Sequence, residues 1–144
     1  MNELELLEKA IAIAVEAHRG KKDRYGSPYI LHPLRVMGRL NSPMEKAVGI
    51  LHDVVEDTDW TFEDLTHEGF PESVLEALKC VTKRDGEPYD DFVRRSASNP
   101  LAKRVKLADL EDNLDLRRIT EVTEKDLARL QKYVKARTFL VGKD

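Results

Sequence analysis

The side chains with the clearest capacity for chemistry lie in the run LHDVVEDT at positions 51–58. If this run is helical, with about 100° between successive residues, His52, Asp53, Glu56 and Asp57 share one arc and the apolar residues lie opposite. No Lys or Arg occurs in the next 20 residues, so three carboxylates crowd one imidazole without a compensating base. A divalent cation would turn that repulsion into coordination. The alternative, an acidic solvent face near a helix C-terminus, is disfavoured by the helix dipole.

Two other predicted helices carry side chains that suit the same site. His18 lies on the apolar stripe of the first helix and therefore points inward, either as a core residue or as a ligand. Farther along the chain, Lys106, Asp109 and Asn113 follow at spacings of 3 and 4 and share one helical face, either toward a site or as an exposed ion pair. The candidate ligands are two imidazoles and two carboxylates: His18, His52, Asp53 and Asp109.

This set of nitrogen and oxygen donors suits Mn²⁺, Fe²⁺ or Zn²⁺ better than Ca²⁺. Water bound to such a metal loses a proton near neutral pH. Glu56 and Asp57, one helical turn after the His-Asp pair, would orient or deprotonate that water. The residues therefore indicate a metal-dependent hydrolase.

The elements that must position these side chains all have helical patterns. Apolar residues recur with the 3.6 period of amphipathic helices, and no stretch alternates with period two between hairpin turns. Capping residues mark most of the starts. The predicted helices, in chain order, are 4–19, 32–40, 42–57, a short piece capped by Thr61, 71–81, 89–97, 99–119 and 123–141. The sequence predicts an all-α, single-domain helical bundle over residues 1–144.

Composition narrows the class of protein further. With 24 basic and 27 acidic residues, the net charge of −3 argues against nucleic-acid or membrane binding as the main activity. No apolar run approaches the ~18 residues of a membrane span, and the acidic N-terminus is not a signal peptide. The single cysteine, Cys80, excludes an internal disulfide or a multi-cysteine zinc site. A cytoplasmic location is expected, and a homo-oligomer is left open.

Four motifs together resemble the HD-domain hydrolases of the RelA/SpoT type, and in particular the small stand-alone alarmone hydrolases. In the family's order they are AHRG at 17–20, GSPYILHP at 26–33, LHDVVEDT at 51–58, and VKLAD at 105–109 followed by Asn113. The resemblance implies an all-helical HD fold and a Mn²⁺-dependent pyrophosphohydrolase without a synthetase domain. Such enzymes remove the 3′-diphosphate of the nucleotide (p)ppGpp and yield GDP or GTP and pyrophosphate.

The resemblance also assigns roles by motif position. The implied metal ligands are His18, His52, Asp53 and Asp109, and the implied catalytic acidic pair is Glu56 and Asp57. Asn113 falls on a residue near the nucleotide. The predicted substrate contacts are Arg24, Tyr25, Lys106 and Asn113. His32, before Pro33, is interpreted as fixing the start of a helix rather than as a ligand.

Some positions depart from the pattern of the long family members. Those enzymes carry a basic pair and then a small residue where this chain has Asp23, Arg24 and Tyr25, and Tyr25 is bulky enough to stack on a base or to block it. Two alternatives therefore stay open: hydrolysis of another nucleotide such as (p)ppApp, and a nucleotide sensor without activity. The segment from residue 89 could cover the site, with Arg94 or Arg95 facing phosphate.

Overall fold

The computed structural model describes residues 1–142 and confirms the all-α prediction. Those residues form nine α-helices and one 3-10 helix, with no strand among them. The α-helices are α1 Glu3–His18, α2 Leu31–Gly38, α3 Pro43–Leu51, α4 Val54–Asp57, α5 Phe62–His67, α6 Glu72–Cys80, α7 Tyr89–Ala97, α8 Pro100–Asn113 and α9 Glu124–Val141, and the 3-10 helix is Leu116–Arg118. None of these helices is long and apolar enough to span a bilayer.

Polar side chains cap the starts of five of the nine α-helices in residues 1–142. At the starts of α1, α3, α5, α8 and α9, an Asn, Ser or Thr oxygen accepts the backbone N–H three residues later. Each cap satisfies one of the N–H groups that a helix start leaves unpaired, which stabilises it by about 1 kcal/mol. The caps that define these starts are Asn2, Ser42, Thr61, Asn99 and Thr123.

The main hydrophobic core lies around α3, which packs against α1, α2, α6 and α8. Val48, Ile50 and Leu51 of α3 are fully buried in it. At Gly49, α3 lies so close to the end of α2 that a Cβ there would lie 3.5 Å from the Cα of Met37 and 2.6 Å from the side chain of Leu40, which follows α2. A second, smaller core joins α7, α8 and α9. α8 contributes to both cores and is therefore the element on which the two halves of the bundle meet.

Two predicted helices are shorter in the structure than in the sequence analysis. The helix predicted over 42–57 breaks at His52 and Asp53 into α3 and α4. The Nδ1–H of His52 donates to the carbonyl of Gly49 at 2.7 Å, and an uninterrupted helix would use that carbonyl for the N–H of Asp53. The helix predicted over 99–119 ends at Asn113, because the Asp115 carboxylate accepts the N–H of Arg117 and caps the 3-10 helix instead.

Arg95 joins α7 to the loop that follows α6. Its guanidinium donates two hydrogen bonds to the carboxylate of Glu87, at 2.9 and 2.8 Å, and others to the carbonyls of Lys79 and Thr82. These bonds lower the pKa of Glu87 to about 2. The Arg95 guanidinium is therefore already hydrogen-bonded within the fold, which differs from the expectation that it faces phosphate. Arg94 lies on the surface beside Asp91.

Replacing Arg95 by alanine is expected to destabilise the protein by about 2–3 kcal/mol, because Glu87 and two carbonyls lose charge-assisted hydrogen bonds. Urea denaturation followed by circular dichroism measures this loss. Arg94→Ala is the matched control, since its exposed ion pair is worth at most about 0.5–1 kcal/mol. Equal losses in the two variants would contradict the role given to Arg95.

Candidate metal centre

Three buried side chains converge between α2, α3 and α8: His32 on α2, His52 directly after α3, and Asp109 on α8. One ligand atom each from His32, His52 and Asp109 lies within 4.8 Å of the other two. The Asp109 Oδ1 is 2.9 Å from His32 Nε2 and 3.4 Å from His52 Nε2. Asp53 borders the group, with its Oδ2 3.0 Å from His52 Nε2 and 3.8 Å from His32 Nε2. These four residues are called the His-Asp cluster below.

The orientation of the two imidazoles fits a cation. Each ring uses Nδ1 elsewhere: His52 bonds the Gly49 carbonyl at 2.7 Å, and His32 bonds Asp112 at 2.6 Å. Both Nε2 atoms therefore face the carboxylates, and the buried Nε2 of His52, although 3.0 Å from Asp53 Oδ2, makes no well-aligned hydrogen bond in the described chain. Burial alone would lower the pKa of His52, but Asp53 and Asp109 raise it well above its ordinary value. A divalent ion would take the place of the protons that now balance these carboxylates.

Asp112 holds His32 in place from behind. Its carboxylate is fully buried and accepts hydrogen bonds from His32 Nδ1 at 2.6 Å, Arg35 Nε at 2.7 Å and Arg118 Nη1 at 3.0 Å. Burial raises its pKa, but the bonds from His32 and Arg35 outweigh this and lower the pKa to about 2. An anion behind the ring keeps a proton on Nδ1, so that Nε2 is the nitrogen that faces the His-Asp cluster, as in the carboxylate–histidine pairs of metal sites.

His18 lies beside the His-Asp cluster but outside the group of three. Its ring is buried, and the centroid of the ring lies 4.9 Å from that of Tyr29. The Tyr29 hydroxyl donates a hydrogen bond to Asp53. Neither ring nitrogen has a hydrogen-bond partner within residues 1–142. Burial lowers the pKa of His18 to about 4, so the ring is neutral near pH 7.

The hydrogen bonds of the His32 ring differ from the interpretation that it fixes the start of a helix, because they join Asp109 and Asp112 of α8. His32 does stand at the start of α2, but its ring reaches the centre of the His-Asp cluster. A signal for this lay in the sequence: His32 is part of the same GSPYILHP motif that carried the family resemblance. Weighed by itself, a histidine before proline gave no reason to look for a ligand.

A cavity of about 520 Å³ opens from the His-Asp cluster. Its acidic wall contains Asp53, Glu56 and Asp57. Partial burial and the charges of Asp53 and Glu56 raise the pKa of Asp57 to about 6. The Glu56 Oε1 accepts the backbone N–H of Lys83 at 2.9 Å, which fixes this side chain at the cavity wall.

The cavity also receives three of the four predicted substrate contacts: Arg24, Lys106 and Asn113. The Lys106 ammonium is 3.0 Å from Asp109 Oδ2, and the Asn113 amide donates to Asp109 Oδ1 at 3.1 Å. These two residues therefore also orient Asp109. Tyr25 is placed differently: its hydroxyl donates to Asp126 at the start of α9 at 2.7 Å, and it does not line this cavity.

Comparisons with known proteins agree with this fold. No protein-family model matches the chain. It is 34% identical over 122 residues, 76% of the chain, to a guanosine-3′,5′-bis(diphosphate) 3′-pyrophosphohydrolase of Aquifex aeolicus. It is 36% identical over 124 residues, 77% of the chain, to a GTP pyrophosphokinase of Streptomyces coelicolor. The chain spans only 17% and 14% of the length of these two relatives.

A solved structure shares almost the whole bundle. It is described as a metazoan ortholog of SpoT that hydrolyses ppGpp, and it superimposes with a TM-score of 0.75 at 27% identity, covering 94% of this chain and 85% of its own. The fold is thus that of an HD domain, a class that implies a divalent metal, and the His-Asp cluster lies where α2, α3 and α8 meet. Together with the sequence relatives, this shows that the chain belongs to the RelA/SpoT type of HD-domain proteins.

Proposed function

We propose that the protein is a Mn²⁺-dependent pyrophosphohydrolase that removes the 3′-diphosphate of (p)ppGpp and yields GDP or GTP and pyrophosphate. The observation that carries the proposal is the His-Asp cluster at the base of a cavity with both acidic and basic walls. A relative and a solved structure that are named for ppGpp hydrolysis support the choice of substrate.

The His-Asp cluster would hold the metal through His32, His52, Asp53 and Asp109, in place of the set with His18 that the motifs implied. Two imidazoles with two carboxylates suit Mn²⁺ and leave room for water and phosphate oxygens. When bound, a divalent ion polarises the phosphoryl group and makes water a stronger nucleophile near neutral pH.

Glu56 and Asp57 would manage the proton of the attacking water. Both lie in the cavity wall one helical turn beyond the His-Asp pair. The pKa of Asp57, raised to about 6, lies near the range in which a carboxylate exchanges protons with water efficiently. Asn113 and Lys106 keep Asp109 in place, and Arg24 lies in the basic wall where a nucleotide phosphate would approach.

The direct test is pyrophosphate release from ppGpp by the purified protein with MnCl₂, with EDTA as the control. We expect turnover that requires the metal, and GDP as the other product. If the protein hydrolyses ppApp but releases no pyrophosphate from ppGpp under the same conditions, its substrate is an adenosine alarmone and not ppGpp. Metal-dependent nucleotide binding without release would favour the sensor.

Glu56→Gln is expected to lower kcat by about 10²–10⁴-fold, because the amide can still accept the N–H of Lys83 but cannot take a proton. Affinity for Mn²⁺, measured by calorimetry, should stay unchanged. Glu63→Gln, an exposed position on α5, is the matched control and should keep full activity. Near-normal turnover by Glu56→Gln would remove Glu56 from the mechanism.

A further inference from the structure

Tyr89, the first residue of α7, lines the cavity and carries a polar group that has no partner within residues 1–142. Its hydroxyl is buried and has no hydrogen-bond partner within residues 1–142. Burial raises the pKa of this phenol to about 12, so the group keeps its proton and can act as a donor. A buried donor without an acceptor is energetically unfavourable, and a ligand with an anionic oxygen would satisfy it.

Lys132 of α9 lies against the same ring. Its ammonium is 4.5 Å from the centroid of Tyr89 and 5.3 Å from that of Tyr133. Burial lowers the pKa of Lys132, and neighbouring cations lower it further. Lys106 has the largest effect among these cations. Positive charge therefore accumulates at this wall, and an anion would relieve it.

The cations nearest the His-Asp cluster are already paired. Lys106 lies 3.0 Å from Asp109, and Arg118 lies 3.0 Å from Asp112. Lys106 is also 5.6 Å from the centroid of Tyr89, so it separates the cluster from Tyr89 and Lys132. The cations of the same cavity that have no ion pair within residues 1–142 are Lys22, Arg24, Lys83 and Lys132, and of these it is Lys132 that lies against the ring of Tyr89.

We propose that the Tyr89 hydroxyl and the Lys132 ammonium bind the 5′-diphosphate of the nucleotide. This inference rests on the proposed function for the identity of the substrate. A 3′-diphosphate must reach the His-Asp cluster to be cleaved, and the other anionic group of ppGpp is its 5′-diphosphate. The pair would therefore select nucleotides that carry phosphates at both ends, and would orient them with the 3′ end toward the metal.

Calorimetric titration of the metal-free protein with GDP tests this subsite without any turnover, because GDP carries the 5′-diphosphate alone. We expect Lys132→Ala to weaken GDP binding by about tenfold or more, and Tyr89→Phe to weaken it by about three- to tenfold. Lys125→Ala, at an exposed position on the same helix, is the matched control and should bind GDP as the unchanged protein does. The two variants should also raise KM for ppGpp, with a smaller effect on kcat.

The outcomes separate this inference from the proposed function. If the protein hydrolyses ppGpp but Lys132→Ala and Tyr89→Phe keep their GDP affinity and KM, the subsite is refuted and the function stands. If the protein does not hydrolyse ppGpp, yet binds GDP in a manner that depends on Lys132 and Tyr89, the function fails and the anion subsite stands. Absence of GDP binding by the unchanged protein overturns the subsite directly.

Discussion

Replacement of His32 by alanine is expected to lower the affinity for Mn²⁺ by more than about 100-fold and to abolish pyrophosphate release. Loss of a residue that only supports a ligand typically costs about 10–100-fold in metal affinity, and a ligand itself should cost more. His32 Nε2 lies 2.9 Å from Asp109 and faces the same point as His52. Calorimetric titration with MnCl₂ gives the affinity, and the same preparation gives the rate.

His18→Ala is the informative comparison, because the motifs implied His18 as the ligand and the structure places it beside Tyr29. Both rings are buried, so a general effect of removing a core imidazole should be similar in the two variants. We expect His18→Ala to bind Mn²⁺ more tightly than His32→Ala. Loss of metal binding in His18→Ala, with affinity kept in His32→Ala, would restore the set implied by the motifs.

Asp112→Ala is expected to destabilise the fold by about 3–5 kcal/mol, the range typical of breaking a buried ion pair. The fully buried carboxylate accepts hydrogen bonds from His32, Arg35 and Arg118, so its removal leaves three donors without their anion. Urea denaturation measures the loss. Because the His32 ring also loses its support, Mn²⁺ affinity should fall by about 10–100-fold in the fraction that is folded.

Glu111→Ala is the matched control for Asp112→Ala. Glu111 is the preceding residue on α8, and its half-exposed carboxylate reaches Arg39 only at 3.8 Å. Such a pair contributes about 1 kcal/mol at most. If Asp112→Ala were no more destabilising than Glu111→Ala, the network behind His32 would carry little of the stability.

The fold could be predicted from the sequence because its signals are local. The caps Asn2, Ser42, Thr61, Asn99 and Thr123 act within three residues of themselves, and each begins a helix as expected. The 3.6-residue period gives the buried face in the same way. The two errors in helix length arose where a side chain competes for a backbone hydrogen bond, at His52 and at Asp115.

The candidate site was harder to predict from the sequence than the fold, because it depends on contacts between distant parts of the chain. His32 meets Asp109 across 77 positions, and nothing in the spacing around residue 32 shows that it turns toward α8. Tyr25 was expected to reach the nucleotide, but its hydroxyl bonds Asp126, which is 101 positions away. Residue types indicated the kind of chemistry, whereas tertiary packing decides which imidazoles lie in the His-Asp cluster.

His52 has two roles at the break between α3 and α4: one ring nitrogen bonds the backbone at the end of α3, and the other faces Asp53. Neighbouring side chains on a regular helix are separated by about 100° around its axis, and the break changes this relation between His52 and Asp53. By donating to the Gly49 carbonyl, the His52 ring ends α3 and brings its own Nε2 within 3.0 Å of the Asp53 carboxylate. A carboxylate at position 52 would keep a metal-binding group but has no N–H for that carbonyl. Replacing His52 by a carboxylate is therefore expected to disturb the backbone at the end of α3, because the Gly49 carbonyl loses its hydrogen bond. This effect does not depend on how well the carboxylate binds the ion.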